Sequence, residues 1–148
     1  MSPELENRVR LHLYERFVAD GRPPTVAETA GGLGIADAEA AEAYRRLEQA
    51  RVIVLAPGTS NVWMANPLSA VPTPFRAESE RGSYWGNCVW DGLGVIAMLG
   101  SNGTLAASCA DCGEPLTLSV RGGRLEPAEA IVHFTVPARR WWDNIAFT

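Results

Sequence analysis

Two pairs of residues in this chain have the types and spacing to do chemistry. Cys88 and Asp91 stand three positions apart in "GNCVWDGLGV", and Cys109 and Cys112 stand three apart in "SCADCGEP". A thiolate beside a carboxyl group can act on one bound atom, with sulfur holding a soft electrophile while the acid handles a proton. At i and i+3 on a helix, Cys88 and Asp91 share a face within one turn. A structural account competes with this one. Cys88 can be a small core hydrophobe and Asp91 a hydrogen-bonded buried acid, and apolar surroundings raise a thiol's pKa instead of lowering it. Taken alone, the Cys-x-x-Asp motif favours the structural account.

The second pair is followed by glycine, as in the knuckles that hold zinc. A closed zinc site takes four ligands, and the chain offers one such pair. His12 and His133 are the only histidines, and neither lies near a cysteine pair in sequence. His133 alternates with Val132 and Phe134, which gives it a polar position on a strand face. Zinc closed within one chain is therefore disfavoured, while zinc shared across a homodimer, or a softer metal ion, stays open. A thioredoxin-type Cys-x-x-Cys opens a helix after a strand. Here Gly113, Glu114 and Pro115 lead into another strand, which counts against redox catalysis.

Composition narrows the setting. At 148 residues, with 47% hydrophobic and 20% charged residues, the chain has the profile of a folded globular protein able to bury a core without disulfides. Apolar runs such as Val52 to Ala56 are too short to span a bilayer, and "MSPELENRVR" has no secretory apolar region. A cytoplasmic location is expected, with no membrane partner. Three cysteines in a reducing compartment are then not a disulfide framework. The net charge of −4 argues against a nucleic-acid partner, and the absence of lysine excludes Schiff-base chemistry.

The elements that must position these residues follow from periodicity. Leu5, Val9, Leu13, Phe17 and Val18 recur at helical spacing from Pro3 to Ala19. Thr25 with Glu28 forms a capping box for a second helix that ends at "GGLG", and Asp37 caps a third helix through Gln49. "VIVLAPGTSNVWMA" reads as a β-hairpin. Three helices and a hairpin make a winged-helix-like unit over residues 1–65. The third helix opens on Asp37, Glu39 and Glu42, which would face phosphates if it were a recognition helix, so the unit reads as a scaffold.

Residues 66–80 form a proline-rich linker in this reading, and residues 81–148 a second unit. "GSYWGNCVWDGLGVIAMLG" reads as a buried helix, with "TLAASC", "PLTLSV", "AIVHFTV" and "WDNIAFT" as strands. The fold class is α+β, with a buried helix packed on a small antiparallel sheet.

Taken in order, "NCVWDGL", "SCADCGEPLTLSV", "AIVHFTVPA" and "WWDNIAF" resemble the organomercurial lyase (alkylmercury lyase) family. The resemblance covers about residues 81–148, and the N-terminal unit in architecture only. It implies carbon–mercury bond cleavage by protonolysis, with a hydrocarbon and a thiolate-held mercuric ion as products and no required cofactor. It further implies that Cys88 attacks mercury, that Asp91 takes part in proton delivery, and that Cys109 is mainly structural. Mercury is a soft ion for which thiolate is the natural ligand, so the residue types suit the chemistry.

One feature departs from the family pattern. The resemblance implies a second thiolate just after a strand matching "WWDNIAFT", and the sequence has no cysteine there. Three alternatives follow: a shortened or truncated family member, Cys112 in the second role, or loss of the activity. The expected partners are a small organomercurial or thiol-reactive substrate and low-molecular-weight thiols. The alternative function is a non-catalytic sensor or soft-metal binder in which Cys88, Cys109 and Cys112 are the ligands. A further alternative makes Trp141 and Trp142, beside "ARR", a protein-docking surface.

Overall fold

The computed structural model describes residues 2–127, 129 and 131–145. Helix α1 (Pro3–Asp20) starts where the Ser2 hydroxyl accepts from the Leu5 amide and stops at Gly21 in the left-handed region. Helix α2 (Val26–Leu33) opens on the Thr25–Glu28 capping box and ends at Gly34. Helix α3 (Asp37–Gln49) is capped by Ala36, not by Asp37, which is its first helical residue. Alanine has no side-chain oxygen, so the Glu39 carboxylate closes back on the Ala36 amide at 3.0 Å instead. Val9, Leu13 and Phe17 of α1 pack with Ala43, Tyr44 and Leu47 of α3, and the Tyr44 hydroxyl is bonded to Thr29 at 2.7 Å.

Eight strands follow, all antiparallel neighbours in one sheet of order β1-β2-β3-β5-β4-β6-β7-β8. They are β1 (Ile53–Leu55), β2 (Val62–Ala65), β3 (Leu68–Ser69), β4 (Arg76–Ser79), β5 (Gly82–Gly86), β6 (Gly103–Ser108), β7 (Pro115–Arg121) and β8 (Arg124–Glu126). Helix α4 (Val89–Leu99) packs on this sheet. The fold is α+β, and its core is continuous from Val9 of α1 to Leu118 of β7. Among the described residues no helix is long and apolar enough to cross a membrane.

The structure redraws three stretches of the sequence reading. Residues 66–80 carry β3 and β4, so the proline-rich stretch is stitched into the sheet, with Leu68 fully buried. The helix expected from Gly82 begins only at Val89, because Ser83, Tyr84 and Trp85 pair with β4 as strand β5. The Tyr84 hydroxyl donates from there to the Val18 carbonyl of α1 at 2.9 Å. "AIVHFTV" forms no strand across 131–136, and a 3-10 helix follows at Ala138–Asp143. The strand expected over "WDNIAFT" loses Trp142 and Asp143 to that helix, and residues 146–148 lie outside the described residues.

Glycines let α4 sit directly on the sheet. A Cβ on Gly86 would fall 2.7 Å from the Gly92 Cα, and one on Gly92 would fall 2.9 Å from the Leu105 Cδ2. The end of β5 therefore meets the first turn of α4 backbone to backbone, while the Leu105 side chain of β6 fills the space beside Gly92. Gly86→Ala forces backbone against backbone and is expected to cost about 1–3 kcal/mol, the usual range for overpacking, read as a lowered urea midpoint with an unchanged slope.

Candidate functional site

The stacking of β5 under α4 places Cys88. Two residues separate the strand from the helix, and Cys88 is the N-cap, in extended conformation at φ −144° and ψ −178°. Asp91 lies within the first turn. The expectation that both sit on one helix is thus corrected: the thiol stands at the mouth of the helix N-terminus and the carboxyl just inside it. A serine, threonine or aspartate at this position would cap the helix, and Cys88 makes no side-chain capping bond.

Both side chains open onto one cavity of about 290 Å³, lined by Met64, Asn66, Asn87, Trp90, Phe134 and Trp141 among others. One wall is aromatic. Trp90 meets Phe134 edge-on with centroids 6.5 Å apart, and Phe134 lies 5.0 Å from Trp141. The Trp141 indole donates to the Val136 carbonyl at 2.7 Å, and the Arg51 guanidinium lies 5.5 Å from the Trp142 ring centroid. The two tryptophans are half-buried and line the cavity. A docking surface built from them has no support in this arrangement.

The opposite wall is polar and runs back to α1. The Tyr14 hydroxyl donates to the Asn66 carbonyl at 2.9 Å, and the Asn87 amide donates to the Asn66 Oδ1 at 3.2 Å. The Asn87 Oδ1 is buried without a hydrogen-bond partner. Through Asn66, α1 is thereby linked to the residue that precedes Cys88.

Electrostatics suit a proton-handling pair. Burial pushes the Asp91 carboxyl above the usual carboxylate range, opposed by hydrogen bonding from Asn87 and Cys88. Burial also pushes the Cys88 thiol up, partly offset by the backbone amide of Asp91, and the nearby Asp91 charge adds to the rise. Each group thus holds its proton more tightly than it would in water.

Cys109 and Cys112 are elsewhere. They lie exposed in the turn between β6 and β7 and do not line the cavity. His133 is exposed, and His12 packs beside Gly32. Among the described residues no group of three or more His, Cys, Asp or Glu could hold a metal ion.

Sequence reasoning found Cys88 and Asp91 but missed Asn66, Asn87, Trp90 and Phe134. The adjacencies of Asn87 to Cys88 and of Trp90 to Asp91 were the local signals, since Asn66 and Phe134 reach the cavity only through the fold.

The alkylmercury lyase family model matches residues 68–148, more than half of the chain. No protein with a curated description matches it in sequence. Among solved structures, the crystal structure of the mercury-bound form of MerB2 is similar, with a TM-score of 0.66 and 22% identity. The match covers 84% of this chain and 59% of that one, so this chain spans about three-fifths of its length. That likeness concerns the fold. With the family match over β3 to the C-terminus and a cysteine and an aspartate facing one cavity, the chain belongs to the alkylmercury lyase family.

Proposed function

We propose that the protein cleaves carbon–mercury bonds, with Cys88 as the mercury ligand and Asp91 as the proton carrier. One observation carries this reading: a thiol and a half-buried carboxyl of raised pKa open together onto an apolar, aromatic-walled cavity. The size and lining suit a small organic group on mercury.

The proton balance follows from the pair. Cys88 forms a sulfur–mercury bond and gives up its thiol proton, and an ionised Asp91 of raised pKa is the adjacent base that takes it. The same proton then passes from Asp91 to the carbon. The electron pair of the carbon–mercury bond goes with the carbon, so the hydrocarbon leaves and the mercuric ion stays on sulfur. A second thiolate, supplied by a low-molecular-weight thiol, adds electron density to mercury and completes two-coordination. No resident cofactor takes part, and mercuric ion is the product. A reducing cytoplasm would keep the cysteines free and supply the thiol.

The N-terminal helices serve as a winged-helix-like scaffold in this reading. Glu42 at the middle of α3 is paired with Arg45 at 2.6 Å, which offsets the charge that Arg45 would offer a duplex. The non-catalytic alternative, one soft-metal site made of Cys88, Cys109 and Cys112, draws no support from cysteines that are divided between the cavity and a turn.

Incubation of the full chain with phenylmercuric acetate and excess thiol is expected to release benzene, measured by headspace gas chromatography. Benzene release no faster than in the protein-free thiol solution would overturn the assignment.

A further inference from the structure

We propose that Cys109 and Cys112 form a second, solvent-facing site, a two-thiolate chelate for the mercuric ion. The pair lies outside the cavity and has no part in the mechanism above.

The turn itself brings the sulfurs together. The Gly113 amide donates to the Cys109 carbonyl at 2.9 Å, closing one helical turn, and the Cys109 amide donates to the Glu114 carbonyl at 2.9 Å. Residues at i and i+3 of such a turn lie on one side of it. Gly113, at φ +73°, then reverses the chain into β7, and the strands hold the turn from Ser108↔Pro115 onward. Both thiols are free and exposed, so neither is a core residue. The Asp111 and Cys112 amides and the Cys112 thiol all favour the Cys109 thiolate, which lowers its pKa. This is the reverse of Cys88, where burial holds the proton on sulfur.

The donor set selects the ion. Among the described residues no group of three His, Cys, Asp or Glu could hold a metal ion, so the two thiolates suit a soft ion content with two sulfur ligands, whereas zinc needs four ligands for a closed site. Binding exchanges two sulfur–proton bonds for two sulfur–mercury bonds and releases two protons. No oxidant or reductant is involved.

The sheet also sets where the ion comes from. Gly86, two residues before Cys88, donates to Phe75 just ahead of β4, and β4 runs antiparallel to β6 with Ala77 opposite Leu105. The C-terminal end of β6, and with it the dithiol, therefore emerges at the same end of the sheet as the N-cap of α4. As far as it concerns receipt of the ion released at Cys88, the inference rests on the proposed lyase function. The chelate itself does not.

The test uses the full chain carrying Cys88→Ser, which cannot hold mercury in the cavity. Mercuric chloride is added against excess glutathione, and retained metal and blocked thiols are counted by mass spectrometry. One mercuric ion per monomer, with Cys109 and Cys112 both protected from iodoacetamide, is expected. Adding Cys112→Ser should weaken retention by about 10²–10⁴-fold, the usual gain from a tethered second ligand. Equal retention by the two variants, protection of one thiol alone, or an ion bridging two chains would each overturn the chelate. Because Cys88 is absent throughout, these results are independent of whether hydrocarbon is released. For the chain with Cys88 intact, mercuric ion appearing on Cys109 and Cys112 after phenylmercuric turnover is expected. Turnover that leaves them free would overturn their part as receivers.

Discussion

Cys88→Ser is expected to lower benzene release to the rate of the protein-free thiol solution while making the protein more stable. The two effects have one origin. Cys88 occupies an N-cap, where serine is among the most favoured residues because its oxygen accepts from the first-turn amides. Sulfur at this position makes no capping bond, and those amides are left to favour a thiolate. Serine would supply the missing acceptor, and a capping side chain contributes about 0.5–2 kcal/mol, seen as a higher urea midpoint. The same exchange removes the soft ligand, since a hydroxyl oxygen is a poor partner for mercury and remains protonated at neutral pH. Retention in the cavity should be measured in a Cys109→Ser/Cys112→Ser background, so that the turn thiols do not mask the loss. A variant that keeps hydrocarbon release would remove Cys88 from the mechanism. One that loses activity together with stability would show that the thiol is a packing residue.

The N-terminal half was legible because its signals are local. The Thr25–Glu28 capping box, the stop glycines Gly21 and Gly34, and the period of Val9, Leu13 and Phe17 all act within one element. The Cys88 region was harder because two elements meet there with no turn signal between them. Tyr84 and Trp85 are apolar enough to extend a helical run, and only pairing with Ala77 and Arg76 makes them a strand. Gly86 and Gly92 read as helix defects until β6 supplies Leu105 against them. Residues 131–136 show the opposite failure. Their alternation looked like a strand, yet Ile131 is 91% exposed and Phe134 spends its side chain on Trp90 and Trp141. At the site, Cys88 and Asp91 carried their own chemistry in the sequence, whereas Asn66 meets Asn87 only because β3 pairs with β5, Leu68 opposite Gly86. No spacing rule reports such a contact.

Asp91→Asn is expected to leave mercurial binding at equilibrium intact, the Cys88 proton then passing to solvent, and to slow benzene release by about 10²–10⁴-fold, the usual contribution of a general acid–base group. Asparagine keeps the shape of the side chain and leaves Cys88 in place, but it cannot take the thiol proton or pass it to carbon. Stability adds a second, independent readout. Burial raises the Asp91 pKa in the folded state above its unfolded value. Across the window between those two values the folded chain keeps a proton that the unfolded chain has lost, so stability falls as pH rises through it. Below the window both states are protonated and the group is neutral to stability. Above it the folded state bears the cost of a half-buried charge. Asparagine has no such ionisation, so the variant's stability should lack that fall and exceed that of the unmodified protein at neutral pH. Urea unfolding of both proteins from acid to neutral pH would show the curves parting in this direction. Parallel curves with unchanged benzene release would make Asp91 an ordinary surface carboxylate. Parting curves with unchanged release would make it a half-buried acid without a catalytic role.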